Sequence, residues 1–271
     1  MIKDISIGRY FPGRSVLHSL DARIKILVVF AMIVMLFICK NFYSLGLMSL
    51  VVFFLILISR VPLLTIIKSL KPLVFIVLFT AVLNLFYTQG SNILFEYKIF
   101  KISDKGLYTA IFMSARIILL VTVSSLLTYT TTPTSLTDAL EKLLSPLKVF
   151  KIEVHTIAMM MTLALRFIPT LIEEIDRIMN AQKARGADWE SGSLVSRAKA
   201  LVPILVPLFI SSFRRAYELA FAMECRCYTG GKGRTRMKQM KMRWPDFLTL
   251  VFTGLLMTAV IGLNFSFAGV I

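Results

Sequence analysis

The sequence predicts an all-α membrane protein with about five transmembrane helices and a large, basic, helical domain on the cytoplasmic side. Three observations carry this expectation. Of 271 residues, 57% are hydrophobic and the mean hydropathy is +0.77, well above the apolar share of a soluble domain. The apolar residues gather in nearly charge-free runs that approach the roughly 20 residues needed to cross ~30 Å of hydrocarbon. Lys and Arg number 31 against 15 Asp and Glu, a formal charge of +16, and the excess lies between the runs, as cytoplasmic loops require. A soluble nucleic-acid binder would match the charge but not the runs. The expected partner is therefore the lipid bilayer, with no nucleic acid.

The first span covers residues 24–39 and the second 45–58. Both are slightly short, so flanking residues or local bilayer thinning must complete them. The third covers 73–86, or begins earlier, because residues 66–70 are apolar and Pro72 would then be an interior kink. Between residues 87 and 105, Gly90, Ser91 and Asn92 are turn formers and Phe95 to Ile102 alternate, which predicts a small exposed hairpin. The fourth span, 106–128, contains Arg116, and the last covers 247–267.

Orientation follows from the basic segments. The leader holds Arg9, Arg14, Arg23 and Lys25, and the 60–71 connector holds Arg60, Lys68 and Lys71. The 230–243 segment holds Lys232, Arg234, Arg236, Lys238, Lys241 and Arg243. Placing all three inside puts the N-terminus in the cytoplasm and the hairpin and C-terminus outside. The chain then divides into residues 1–130 with four spans, a cytoplasmic domain over 131–246, and a C-terminal span over 247–271. The first apolar run has no small-residue cleavage site and is expected to remain in the mature protein. Cys39, Cys225 and Cys227 form neither a disulfide framework nor a zinc pattern, which fits a reducing compartment.

The cytoplasmic domain opens on Thr131-Thr132-Pro133-Thr134-Ser135, a turn with candidate N-caps, followed by a short helix to about Lys148. A long helix is expected over 153–185, kinked at Pro169, with breaks at Gly186 and near Gly192. A second runs over 194–226, interrupted near Pro203 and Pro207. Residues 157–165 and 201–210 are too apolar for helices standing free in water, so they are expected to lie against the membrane or partner subunits.

The two long helices end alike. One finishes Ala181-Gln182-Lys183-Ala184-Arg185-Gly186, the other Ala222-Met223-Glu224-Cys225-Arg226-Cys227. An arginine before glycine in a last turn is a common helix stop, favoured by the dipole and by glycine's left-handed conformation. Its recurrence on successive helices points instead to a pair of pegs, each offering five donors in a rigid fork to carboxylates or helix-end carbonyls of a two-lobed partner.

These endings carry a resemblance. Ala184-Arg185-Gly186 is similar to the Ala-Arg-Gly signature of the T component of energy-coupling factor transporters. The run Leu165-Arg166-Phe167-Ile168-Pro169-Thr170-Leu171, followed by Glu173 and Glu174, resembles the same family. So does the leader from Gly13 to Lys25, with Ala22 where proline is usual. The second signature departs, since Cys225 and Cys227 replace the alanine and glycine while Arg226 is retained. A cysteine in the left-handed region costs about 1 kcal/mol relative to glycine, so a later reversal at Gly230 or Gly231 is an alternative.

The resemblance implies a coupling domain with two long crossing helices in a multi-pass protein of the bacterial cytoplasmic membrane. Arg185 and Arg226, flanked by Ala184, Gly186, Cys225 and Cys227, would each enter a groove of one ATP-binding subunit, the two subunits being identical or homologous. A substrate-binding membrane subunit, the S component, would carry a vitamin or a metal ion. The chain itself would be non-catalytic and hold no cofactor, ATP being bound by its partners.

Other features have competing readings. Ser212, Ala216 and Ala220 form a narrow face suited to a helix crossing or to ordinary packing. Arg116 either belongs to a transport path or snorkels or pairs. Met159-Met160-Met161 is adaptable contact surface or plain packing. His18 and His155 stand apart from any carboxylate-rich motif, and Asp21 with Arg23 is a local pair or cap. The glycine-rich run 230–235 lacks Walker spacing and reads as a basic loop facing anionic lipid. The rival to a coupling subunit is a self-contained secondary transporter, which would need ionisable or helix-breaking residues at mid-membrane in repeated halves. An intramembrane enzyme would need clustered His, Asp, Glu or Cys at depth.

Overall fold

The computed structural model describes residues 10–13, 15–88, 93–97, 100–187, 193–230 and 242–267. The 90–92 turn, Arg9 and Arg14, the break near Gly192 and the basic run 231–241 lie outside the described residues. The chain folds as two compact units, one within residues 8–136 and 239–271, the other within 137–238.

The first unit begins with α1 (Val16–Ser19), α2 (Ala22–Ile38) and α3 (Phe42–Ser59). Then come α4 (Leu63–Leu70) and α5 (Val74–Tyr87), joined through a 3-10 turn over Lys71–Leu73. Pro72 therefore tightens one continuous stretch rather than ending it, its missing N–H falling where α4 has already stopped. The expected hairpin is present: β1 (Ile93–Tyr97) pairs antiparallel with β2 (Phe100–Ser103). α6 (Asp104–Thr130) follows, and α10 (Trp244–Ser266) completes the unit. The division between units falls inside α7 (Pro133–Leu143).

Apolar composition makes these segments helical, and polar side chains decide where they start. Asp21 caps α2 by accepting from the Arg23 N–H at 3.0 Å and also ion-pairs with Arg23 at 3.3 Å. Ser103 caps α6, accepting from the Gly106 N–H at 3.0 Å and donating to the Thr88 carbonyl at 2.8 Å. Gly106 has no side chain for a physical reason: a Cβ there would sit 2.9 Å from the Leu85 carbonyl of α5.

The core is a slender seam of Met35, Leu36, Met48, Val52, Phe112, Val123 and Val260 from α2, α3, α6 and α10. Outward-facing Phe30, Phe53, Phe54, Phe75 and Phe79 stay exposed, as lipid-facing side chains do. Specific polar bonds tie the helices together at their ends. Asn41 Nδ2 donates to the Leu263 and Phe267 carbonyls at 3.2 and 2.6 Å, and Asn264 Nδ2 donates to the Ile38 carbonyl at 2.9 Å. At the other end of α10, buried Asp246 accepts from the Asp21 and Arg243 N–H groups, both at 2.8 Å. Lys25 Nζ, also buried, donates to the Thr130 carbonyl at 2.9 Å. Arg116 lies over the Phe112 ring, 4.8 Å from its centroid, and donates to the carbonyl of Cys39, the C-cap of α2.

The second unit holds α8 (Val154–Ala184) and α9 (Leu194–Glu224). Both run unbroken through their prolines, so the interruption expected near Pro203 and Pro207 is absent. Pro207 has no N–H to give the Pro203 carbonyl, and Gln182 Nε2 donates to that carbonyl instead, at 3.3 Å. Among the described residues, six stretches are long and apolar enough to cross a membrane: Phe42–Ser59, Leu63–Tyr87, Asp104–Thr130, Val154–Ala184, Lys199–Glu224 and Trp244–Ser266. α8 and α9 thus join the expected spans by length and composition, while α2 is shorter at 17 residues.

Removing the Asp246 carboxylate with Asp246→Ala leaves two backbone N–H groups without partners. We expect a loss of about 1–3 kcal/mol, read as a lowered unfolding temperature in mild detergent, with Asp246→Asn closer to the parent.

Candidate functional site

α8 and α9 are 31 residues each, or roughly 46 Å at 1.5 Å per residue. Three contacts give their relative direction. Gln182 meets Pro203, Glu174 pairs with Arg215, and the Tyr228 hydroxyl donates to Met159 Sδ at 3.1 Å. The residue numbers rise on one helix as they fall on the other, so the pair is antiparallel. Arg185 and Arg226, each at a C-terminus, consequently stand at opposite ends of the pair.

Each end closes by the same pattern of hydrogen bonds. Beyond α8, the Ala187 N–H reaches the Gln182 carbonyl and the Gly186 N–H the Lys183 carbonyl, both at 3.0 Å. Beyond α9, the Tyr228 N–H reaches the Met223 carbonyl at 3.0 Å and the Cys227 N–H the Glu224 carbonyl at 2.8 Å. Both are Schellman motifs. Gly186 has φ 84 and Cys227 has φ 56, so the cysteine itself takes the left-handed position instead of passing the reversal to Gly230, which independently has φ 98.

In both motifs the arginine is the C-cap, the last residue before the chain turns away. Ala184, Arg185, Gly186, Cys225, Arg226 and Cys227 are all exposed. Neither guanidinium has an ion pair or side-chain hydrogen bond among the described residues. The motif consumes the last carbonyls, so the arginine is not needed to satisfy its own helix end.

The face of α9 turned to α8 differs from the expected one. Ile204 is buried, and Leu208, Ser211, Arg215, Leu219 and Met223 are half-buried at helical spacing. Ala216 and Ala220 of the small-residue stripe are exposed. The reason is that Arg215, with its partner Glu174, must face α8, and this rotates the alanines outward. Beside them Phe209, Phe213, Tyr217 and Phe221 stand 61%, 72%, 75% and 60% exposed, an aromatic row at every fourth residue on the side opposite the packing face. That spacing was present in the sequence but carried no direction until the packing face was known. His155 is not isolated, since its Nδ1 lies 3.1 Å from Glu141. His18 is held by Ser15 at 2.7 Å and by the Phe11 carbonyl at 3.0 Å. Among the described residues no group of three or more His, Cys, Asp or Glu side chains could hold a metal ion.

Apolar helices joined at their ends by polar bonds, together with a long antiparallel helix pair, define a multi-pass helical membrane protein. The cobalt transport protein family, CbiQ, matches residues 13–238. The chain is 48% identical over 267 residues to the energy-coupling factor transporter transmembrane protein EcfT of Ruminiclostridium cellulolyticum, covering 98% of this chain and 100% of that protein. It is 56% identical over 251 residues to the EcfT of Clostridium kluyveri, covering 92% of each. With the EcfT of Bacillus subtilis it shares 44% identity over 261 residues, 96% of this chain and 98% of that one. The chain belongs to this family, the transmembrane components of energy-coupling factor transporters.

The two caps make a matched test. Gly186 has no atom within 4 Å of where a Cβ would lie, so Gly186→Ala should cost only the left-handed backbone penalty, about 1 kcal/mol. Cys227→Gly should recover a similar amount. Thermal unfolding should therefore shift in opposite directions for the two variants.

Proposed function

We propose that the chain couples ATP hydrolysis by two partner subunits to the uptake of a micronutrient held by a separate membrane subunit. The observation that carries this reading is the duplicated cap, which presents at each end of the helix pair one exposed arginine with no side-chain partner among the described residues. A guanidinium suits carboxylates or helix-end carbonyls in a groove. Two pegs separated by the length of the pair suit a partner with two lobes. Arg185 would enter one ATP-binding subunit and Arg226 the other. ATP is bound and hydrolysed by those partners, and this chain contributes neither a cofactor site nor a catalytic group. When the ATP-binding pair closes, the two helix ends are drawn along, and the Glu174–Arg215 pair keeps α8 and α9 from sliding past each other.

The substrate-binding S component would rest on the exposed row Phe209, Phe213, Tyr217 and Phe221. Aromatic surface of this extent needs lipid or protein against it. The similarity to transmembrane proteins of energy-coupling factor transporters supports the same assembly. The cargo is a vitamin or a metal ion, and its selection belongs to the S component. The domain over 131–246 faces the cytoplasm, as does the N-terminus, because the basic segments lie on that side. A self-contained transporter is the less favoured reading. Arg116, its candidate charge at membrane depth, is taken up by the Cys39 carbonyl and the Phe112 ring.

Arg185→Glu and Arg226→Glu should each weaken co-purification with the nucleotide-binding subunits, and the double substitution should abolish it. A double variant that still assembles would sink the peg mechanism. For orientation, Asn92→Cys and Gln239→Cys are introduced with Cys39, Cys225 and Cys227 replaced by serine. An impermeant thiol reagent added outside intact cells should label position 92 and spare 239; the reverse pattern would invert the topology.

A further inference from the structure

Beside the leader helix lies an open recess of about 870 Å³, lined by Tyr10, Ser15, Ser19 and Arg60 among others. Next to it runs a groove of about 410 Å³ bounded by apolar side chains including Leu20, Val28, Leu55, Leu248 and Phe252. Val16 and Ile58 line both, so the polar recess and the apolar groove adjoin. The groove runs among α1, α2, α3 and α10, and its rim is open: Val16, Ile58, Leu248 and Phe252 are 59%, 46%, 63% and 52% exposed. A polar mouth beside an apolar channel along membrane-crossing helices fits an amphiphile with one charged end.

The sign of that charge follows from the mouth. Ser15 is engaged with His18 and Ser19 with the Val16 carbonyl, which leaves Arg60 and the Tyr10 hydroxyl as side-chain donors to an occupant among the described lining residues. Arg60 is exposed, and its guanidinium has no hydrogen bond or ion pair among the described residues. Neither lining includes a carboxylate, so the site offers no counter-charge to a choline or ethanolamine group. Arg60 also ends α3 in the left-handed conformation, φ 55 and ψ 21, which glycine adopts freely and other residues resist. Backbone geometry alone would therefore tolerate glycine there.

We propose that this is a binding site for one anionic phospholipid. Its phosphate lies on Arg60 with the Tyr10 hydroxyl as second donor, and an acyl chain occupies the groove beside α10. The bound lipid fastens the leader helix to α3 and α10, and the chain's net charge of +16 enriches anionic lipid around it. The occupant is a lipid and not free phosphate because the polar mouth adjoins an apolar groove, which takes an acyl chain that phosphate lacks.

The test uses the full-length chain in mild detergent, titrated with dioleoyl-phosphatidylglycerol or dioleoyl-phosphatidylcholine and read by native mass spectrometry. One phosphatidylglycerol should be retained roughly tenfold more tightly than phosphatidylcholine. Arg60→Gly should remove that preference without lowering the unfolding temperature, since glycine suits the local φ. Arg60→Lys should keep most of it. Millimolar inorganic phosphate should not displace the lipid. Equal retention of the two lipids, a preference that survives Arg60→Gly, or displacement by phosphate alone would each overturn the proposal.

Discussion

A helix end buried away from water must find partners for its unpaired backbone groups within the protein, because each one left alone costs as much as a lost hydrogen bond or more. Much of what holds this molecule together is a response to that constraint. α2 ends at Cys39, whose carbonyl takes the Arg116 guanidinium. α6 ends at Thr130, whose carbonyl takes Lys25. The two ends of α10 are closed by Asn41 and by Asp246. With lipid on the outside there is little hydrophobic drive between helices, so these few polar bonds fix register that packing alone would leave loose.

The same constraint explains two cationic side chains set among the apolar helices. Lys25 and Arg116 would be costly facing lipid, yet each lies where a neighbouring helix presents a carbonyl at its C-terminal, negative end. Neither is therefore evidence of a path for ions or protons. Arg116 is further covered by the Phe112 ring, which shares the slender core with Met35 and Leu36.

The two long helices solve the problem differently. Their last carbonyls are satisfied by backbone N–H groups in Schellman motifs, and the C-cap arginine is left with nothing to do inside its own helix. In the unit of α2, α3, α6 and α10, side chains from neighbouring segments close helix ends. In the other unit, the backbone closes the ends and the arginines are released. That contrast is the physical basis for reading Arg185 and Arg226 as contacts to other chains. α9 adds a second adaptation, since the helix continues through its prolines and Gln182 of α8 replaces the donor lost at Pro207.

By itself the sequence determined the helical class, nearly all the segment limits, the hairpin and the two arginine endings. These depend on local composition and spacing: apolar runs, turn formers and the repeat of Ala, two variable residues, small, Arg, small. It could not say whether Cys227 would accept a left-handed backbone, because that balances a local cost against the hydrogen bonds of the whole helix end. Nor could it turn α9 the right way round. Ser212, Ala216 and Ala220 made a plausible contact stripe, and only the Glu174–Arg215 pair, 41 residues apart, decided that another face meets α8 and that the aromatic row looks outward. The antiparallel pairing that separates Arg185 from Arg226 was likewise decided by tertiary contacts. The direction in which a helix faces is a property of its neighbours, which spacing along one chain does not contain.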